Sequence, residues 1–346
     1  MDMNVKYTPT DADFRLKGNN VDIEIDSNFA SQSFWKEVIA RFRKKKSAVF
    51  GLVFVIIITF FAFVGPVMNE YTYSGQDLSK KNLAPRIPII EYTGFFDGHE
   101  NINTTSGTKT VNYYFENKLP DTFYWFGSDN FGRDIWTRTW SGAQVSLIIA
   151  VVAAIIDMII GMSYGLISGY FGGKVDMVMQ RILEIANGIP RLVIVTLLLL
   201  VFKPGMLTII VALLLTEWVG MSRIARAEML KLKEQEFVLA SRTLGAGNLH
   251  IIFKEVLPNI IGPIITQVMF SIPTAIFTEA FLSFVGLGIP VPRCSLGSLI
   301  SEGFNSFTTH PYQIIPPIVV MALLMLSFNL VADGLREALD PKLKEM

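Results

Sequence analysis

The sequence is poor in cysteine and in charge, and both shortages restrict what the chain can be. Among its 346 residues there is one cysteine, Cys294, so an internal disulfide is impossible. Cysteine and histidine do not occur together at the spacing of a zinc site, and His99, His250 and His310 are too scattered to suggest a catalytic site. The formal net charge is zero, so the whole chain has no electrostatic attraction for nucleic acid.

An ATP-binding motif is also missing. No segment has the form GxxxxGK[ST], in which a glycine-rich loop and a lysine hold the phosphates of a nucleotide. We therefore expect no catalytic residues, no ATP hydrolysis by the chain itself, and no cofactor or metal bound to it. We also expect no cleavable signal sequence, because residues 1–47 are mostly polar and precede the first apolar run.

What the chain does have is apolar sequence. Hydrophobic residues make up 51% of it and charged residues 17%, which is too apolar for an average soluble domain. A helix needs about 20 apolar residues to cross a hydrocarbon core roughly 30 Å thick, and six runs approach that length. The sequence therefore predicts an all-α integral membrane protein with six transmembrane helices, the third of them kinked at Gly188 and Pro190. The predicted spans are 48–68, 145–169, 177–202, 206–221, 260–287 and 314–331.

Basic residues indicate how these helices are oriented. Lysine and arginine beside a span favour the cytoplasmic side, and five of them lie within residues 41–46, directly before the first span. We therefore expect a cytoplasmic tail at 1–47, in which Phe34 and Trp35 begin an interfacial helix. After six crossings, residues 336–346 form a second cytoplasmic tail. The basic stretch between the fourth and fifth spans lies on the same side.

By the same reasoning, residues 69–142 form a long extracytoplasmic insert, and 143–335 form a core with five transmembrane helices. Alternation of apolar and polar residues at 110–115 favours a strand within the insert. Near its end is a compact group of polar and glycine residues whose acids and arginine can pair and fix the approach of the insert to the membrane. This group comprises Asp129, Gly132, Arg133 and Asp134.

The stretch between the fourth and fifth spans has the pattern of two short helices separated near Gly245–Asn248. Within the first, apolar side chains and Ser241 fall at helical spacing and could form a ridge for a partner protein. Packing of this loop on the membrane surface would explain the pattern equally well. The ridge consists of Phe237, Val238, Ser241 and Leu244.

This stretch resembles the cytoplasmic signature of ABC import permeases, in which Glu-Ala-Ala is followed by three residues, glycine, a spacer and Leu-Pro. The matching residues are Ala240, Gly245, Leu257 and Pro258, while Leu239 and Ser241 stand where the family usually has glutamate and alanine. The resemblance implies a short helix that docks into a groove of a separate ATPase and couples it to the membrane helices. The implied coupling residues are Phe237, Val238, Leu239, Ala240, Ser241, Arg242 and Gly245.

Three further blocks, at 126–147, 218–247 and 279–292, are similar to the peptide and nickel importers, and most of all to the C-type permease subunit of oligopeptide and dipeptide systems. The resemblance implies a subunit in a bacterial cell membrane that forms half of a path for peptides. It implies as partners a second homologous permease, two ABC ATPases that bind ATP and magnesium, and an extracytoplasmic peptide-binding protein. Nickel or another small solute remains open as the cargo.

Three acids, Asp157, Glu217 and Glu279, fall within or beside predicted spans. A charge facing lipid there costs about 2.5–3.5 kcal/mol on insertion scales, so each must face protein or water. They could line the transport path, or they could be neutral or bonded to a neighbouring helix. For Glu279, at a position usual in the family, we favour the structural role. A solitary secondary transporter or channel would use Asp157 and Glu217 for protons or cations, but would leave the ridge at 237–244 without a purpose.

Overall fold

The computed structural model describes residues 34–104 and 107–340, and most of them are helical. Five helical stretches are long and apolar enough to cross a membrane: Lys46–Val67, Ile135–Phe171, Met206–Leu232, Asn248–Phe284 and Pro311–Leu339. A sixth results if Gly173–Gly188 and Arg191–Val201, bent by 80° at the break between them, are counted as one span. The number of candidate membrane helices therefore agrees with the sequence-based prediction.

The elements are numbered along the chain, and π-helical turns join α4 to α5 and α11 to α12 without interruption. The helices are α1 (Phe34–Lys44), α2 (Lys46–Val64), α3 (Tyr113–Glu116), α4 (Ile135–Ile156), α5 (Met162–Phe171), α6 (Gly173–Gly188), α7 (Arg191–Val201), α8 (Met206–Thr216), α9 (Trp218–Leu232), α10 (Glu236–Thr243), α11 (Asn248–His250), α12 (Leu257–Phe284), α13 (Leu296–Asn305) and α14 (Ile315–Leu339), and the strands are β1 (Glu100–Thr104) and β2 (Gly107–Val111).

Two predicted helix starts lie too late in the chain. The second membrane helix begins at Ile135 rather than near 145, because Asp134 caps it by accepting a hydrogen bond from the Thr137 backbone N–H at 2.8 Å. The fifth begins at Asn248 rather than near 260. Hydropathy detects only the part of a helix that can lie in hydrocarbon, so polar extensions escape it.

Helix α4 lies at the centre of the bundle, in contact with α2, α8, α12 and α14. Its buried face carries small residues, including Ala143, Ala150 and Ala153, which allow neighbouring helices to approach. Trp140 fills the space at one end and stacks on Phe61 of α2 with ring centroids 4.9 Å apart. The largest buried cluster of the described residues surrounds this helix.

A row of glycines brings α5 and α9 into backbone contact. Gly161, Gly165 and Gly169 follow one another at intervals of four residues and therefore share one face of the helix. A β-carbon built at position 165 would lie 2.1 Å from the carbonyl oxygen of Ser222, and one at 161 would lie 2.6 Å from that of Trp218. Only glycine fits so close an approach, which is typical of tightly packed membrane helices.

Between α2 and α4 the chain forms a small irregular unit. Strands β1 and β2 pair as an antiparallel hairpin, so the strand predicted at 110–115 is present only to Val111, and α3 follows it. Tyr71 stacks on Tyr124 with ring centroids 4.4 Å apart, over a cluster that includes Leu83 and Tyr114. Within residues 34–104 and 107–340, this hairpin is the only sheet.

Helix α1 packs on the end of α14. Val38 is buried together with Ala338 and Leu339, and Lys45, between α1 and α2, forms an ion pair with Glu337 at 2.5 Å. A groove of about 1050 Å³ runs between α1 and the ends of α9, α12 and α14. None of the three predicted membrane acids lines it.

Candidate functional site

The predicted coupling segment contains a short helix, α10, that one buried side chain attaches to the rest of the chain. Val238 is fully buried in the same apolar cluster as Ile251, Ile252 and Val256 of the following helix. Burying a valine stabilises a contact by about 1.5–3 kcal/mol. That is enough to hold a two-turn helix in a defined orientation.

The other side of α10 is open. Phe237 and Leu239 are exposed, and Leu244, just after the helix, is 88% exposed. The predicted ridge is therefore wrong in one member: Val238 points inward, and the outward surface is formed by its neighbours. Ser241 is half-buried, and Ala240, Arg242 and Gly245 are exposed.

Gly245 terminates α10. Its φ is +86°, in the left-handed region that favours glycine. Its N–H donates to Arg242 O at 3.0 Å, and the N–H of Ala246 donates to Ser241 O at 3.1 Å. These two bonds form a Schellman motif, which satisfies the last carbonyls of the helix and turns the chain.

After this turn the chain enters a membrane helix directly. The predicted second short helix is not a separate element, because α11 begins at Asn248 and continues without a break to Phe284. Asn248 accepts a hydrogen bond from the Tyr170 hydroxyl at 3.0 Å, and Arg242 lies over the Tyr170 ring at 5.6 Å. Tyr170 thus connects the end of α5 both to α10 and to the start of the long helix.

The chain on the other side of α10 is held as well. Arg226 of α9 makes a two-point contact with Asp176 of α6, with Nε to Oδ1 and Nη2 to Oδ2 both at 2.6 Å. Lys233, just after α9, donates to the Gly169 carbonyl at 3.2 Å. Polar contacts thus connect helices α5, α6 and α9 near the chain segment that leads into α10.

Glu279 lies inside the bundle and is fully buried. Its Oε2 accepts a hydrogen bond from Ser146 of α4 at 3.0 Å, and its Oε1 accepts one from Ser283 at 2.7 Å. Ser283 is also 3.3 Å from the hydroxyl of Ser295, which caps α13. The carboxyl group thereby connects α4, α12 and α13.

Asp157 occupies the π-helical turn between α4 and α5, which contacts α9 and α12. Its side chain is 1% exposed, and its Oδ1 has no hydrogen-bond partner among the residues that the structure describes. A buried carboxyl oxygen without a partner is costly. Such positions therefore point to a function or to a group supplied from outside the chain.

Glu217 lies at the junction of α8 and α9, with its side chain 7% exposed. Its Oε1 is 2.7 Å from Nη1 of Arg191, the first residue of α7. The angle falls short of a hydrogen bond, so the contact is an ion pair. Nη1 of Arg191 also donates to the Thr278 hydroxyl at 3.3 Å.

A second charged cluster lies where the 68–134 segment meets the bundle. Arg133 donates from Nε to Asp129 at 2.6 Å and from Nη2 to Glu302 of α13 at 2.7 Å. Arg138 of α4 also donates to both of these acids. The predicted pairing of Asp129 with Arg133 is therefore present, while Asp134 caps α4 instead.

The two arginines of this cluster are buried, while the Glu302 side chain is about one-third exposed. Arg133 and Arg138 are 2% and 1% exposed. The Cys294 thiol donates to the Arg138 carbonyl at 3.4 Å, and burial raises its pKa, so it stays protonated and unreactive. The cluster joins the 68–134 segment, α4 and α13 and has the character of a structural joint.

Comparison with known proteins agrees with this arrangement. Residues 161–345 match the family model described as binding-protein-dependent transport system inner membrane component, and residues 33–85 match the N-terminal TM domain of oligopeptide transport permease C. The first match includes α10 and both of its connections. The chain belongs to this family of inner membrane components. It is a multi-pass protein of the bacterial inner membrane.

Two curated relatives align with nearly the whole chain. The oligopeptide transport system permease protein OppC of Bacillus subtilis (strain 168) is 40% identical over 315 residues, covering 91% of this chain and 92% of that protein. The dipeptide transport system permease protein DppC of Lactococcus lactis subsp. cremoris is 41% identical over 321 residues, covering 90% and 92%.

Among solved structures, this chain resembles a chain of the MetNI methionine ABC transporter in an inward-facing conformation. The TM-score is 0.50 at 18% identity, covering 59% of this chain and 96% of that one. At this identity the likeness concerns the fold alone.

Three residues of these sites were not predicted from the sequence. Arg138 and Glu302 complete the outer cluster, and Arg191 completes the pair with Glu217. Glu302 is 164 residues from Arg138, so only folding brings them together. Arg191 could have been found, because it is a charged residue directly before the apolar run of α7.

Proposed function

We propose that this chain is a permease subunit of an ATP-binding-cassette importer that moves peptides into the cell, forming half of the path and coupling it to separate ATPases. The observation that carries the proposal is the arrangement of α10. It presents exposed apolar residues on one side, is anchored by Val238 on the other, and connects within four residues to a helix of membrane-spanning length.

The proposed orientation places α10 and both termini in the cytoplasm. Five basic residues within 41–46 precede the first span, and the α9–α11 region is also basic. The 68–134 segment then lies outside, as the extracytoplasmic insert. In this orientation α10 faces the compartment that contains ATP.

Coupling is proposed to be mechanical. When two ATPase subunits close around ATP and magnesium, a groove on one of them carries α10 with it, and the rigid helix that starts at Asn248 transmits the displacement to the path. Phe237, Leu239 and Leu244 supply the apolar contact, and Arg242 supplies charge at its edge. Leu239 stands where the family usually has glutamate, so the contact is more apolar at that position, while Ser241 adds a hydroxyl where alanine is usual.

Peptides are the proposed cargo because the relatives are named as oligopeptide and dipeptide transport permeases. A second homologous permease would complete the path, and an extracytoplasmic binding protein would deliver the peptide. ATP and magnesium bind to the ATPase subunits in this scheme. Nickel or another small solute is the alternative cargo for the same architecture.

The three membrane acids have different places in this proposal. Glu279 is a structural residue, since its two oxygens accept hydrogen bonds from serines of α4 and α12. Asp157 and Glu217 are the path candidates. Asp157 has a carboxyl oxygen without a partner, and Glu217 reaches an exposed surface through Arg191.

Co-purification tests the proposal. Tagged permease should retain two ATPase subunits and a second permease, and Ser241→Trp should release the ATPases while the two permeases stay together. A solitary transporter would instead show proton- or cation-driven uptake with no other subunit present. Uptake by the purified chain alone in vesicles would therefore contradict the importer assignment.

A further inference from the structure

The Arg191–Glu217 pair lies within a candidate membrane span, at the end of its uncharged part. Glu217 follows Met206, the first residue of that span, by eleven residues, all of them uncharged before it. With a rise of about 1.5 Å per residue, it lies roughly 17 Å from that end of the helix. Arg191 is held at the same depth by the 2.7 Å contact.

The two members of the pair differ in exposure. The side chain of Glu217 is 7% exposed, whereas that of Arg191 is 47% exposed. A guanidinium group facing lipid at this depth costs several kcal/mol, about 2.5–3.5 on insertion scales. Its open side must therefore face water or another protein.

The surroundings of Arg191 fit a binding role. Its described polar contacts, to Glu217 and Thr278, both use Nη1, so within residues 34–104 and 107–340 neither Nε nor Nη2 is occupied. On α12, Thr274, one turn before Thr278, and Phe277, the residue before it, are exposed. The buried Glu217 holds the guanidinium from behind and leaves its free edge toward the open side.

We propose that Arg191 binds a carboxylate inside the transport path, namely the C-terminal carboxylate of the passing peptide. The proposal rests on peptide import as the function. A guanidinium edge with two N–H groups matches a carboxylate in geometry and charge. Linear peptides share this group whatever their sequence, so one fixed arginine serves many cargoes.

The test uses the complete importer with its binding protein in proteoliposomes. ATP-driven uptake is compared for one neutral peptide and for its C-terminal amide, both at concentrations that saturate the binding protein. Arg191→Gln is expected to lower uptake of the free-acid peptide roughly tenfold, the order of a charge-assisted hydrogen bond. Uptake of the amide is expected to stay unchanged. Lys203→Gln, which removes the other cation of the α7–α8 hairpin, should leave both rates unchanged.

A second variant separates loss of the carboxylate contact from loss of assembly. Arg191→Lys keeps the charge opposite Glu217 but loses the planar edge, and it should reduce the ratio of acid to amide uptake by a smaller factor. Equal losses for both peptides, or an unchanged ratio in both variants, would overturn the carboxylate site. Absence of ATP-driven uptake in the unmodified importer would overturn the proposed function instead.

Discussion

Gly165 of α5 lies against the carbonyl oxygen of Ser222 in α9, so closely that a β-carbon at position 165 would stand 2.1 Å from that oxygen. Gly161 and Gly169 continue this contact on either side. Because α9 leads directly into the segment that carries α10, the glycine row sets the position of the proposed ATPase contact. The packing of two membrane helices and the proposed coupling surface are therefore connected through α9.

Replacing Gly165 by alanine should destabilise the permease by roughly 1–3 kcal/mol, because backbone atoms must move apart to admit the methyl group. Thermal unfolding in detergent would measure this loss. Gly220→Ala in α9 is the matched control, since its β-carbon would meet no described atom closer than 3.9 Å. Equal stability of the two variants would contradict the proposed role of the contact.

Replacing Gly245 by valine should impair coupling, because a β-branched residue at φ +86° costs about 1–3 kcal/mol. The Schellman turn would open and α10 would lose its defined end. Transport-coupled ATPase activity of the assembled importer is expected to fall several-fold. Gly247→Ala, at φ −69° with no atom near its β-carbon, should behave like the unmodified protein. A similar loss in both variants would point to general disruption of the loop.

Val238 and Phe237 should respond differently to truncation to alanine. Val238 is fully buried, so its removal leaves a cavity that destabilises the α10 attachment, by about 1–3 kcal/mol. Phe237 is exposed, so its truncation should weaken ATPase binding with little effect on thermal stability. Pull-down with the ATPase and unfolding of the permease separate the two effects. Loss of stability in the Phe237 variant would show that it is buried within the chain.

The outer charged cluster should be sensitive to loss of one member. Arg138→Met removes one charged partner from Asp129 and Glu302, which keep Arg133, and should cost about 1.5–3 kcal/mol. The Arg181–Glu184 pair is exposed, so Arg181→Met should cost no more than about 1 kcal/mol. Unfolding temperatures of the two variants provide the comparison. A cluster that contributes nothing would give equal values.

Asp157→Asn tests whether this acid meets the cargo. If the partnerless oxygen attracts a positive group of the peptide, uptake of a basic peptide should fall several-fold while uptake of a neutral one changes little. The ratio of the two rates is the measurement. Unchanged uptake of both peptides would remove the substrate contact.

The sequence predicted the membrane helices and the short helix between the fourth and fifth spans, because these features depend on local composition. Apolar runs gave the number of candidate membrane helices, and helical spacing at 237–244 followed by Gly245 located α10 and its end. Helix starts were misplaced where polar turns extend a helix beyond the hydrocarbon. The orientation in the membrane and the roles of the coupling residues remain predictions.

Side-chain direction was decided by tertiary structure. At α10 the pattern did not distinguish Val238 from Phe237, since both lie on a short amphipathic helix, and only packing against Ile251 and Val256 turned Val238 inward. The same holds for the glycine row of α5, whose spacing is visible in the sequence but whose partner is not.

By itself, then, the sequence determined that the chain is a helical membrane protein with a short, glycine-ended helix between its fourth and fifth spans, because hydropathy and helix-ending glycines act over a few residues. Only the tertiary structure joined Arg138 to Glu302 and Arg191 to Glu217. Such pairs depend on distances of a few ångströms between helices far apart in the chain, and no local pattern specifies those distances.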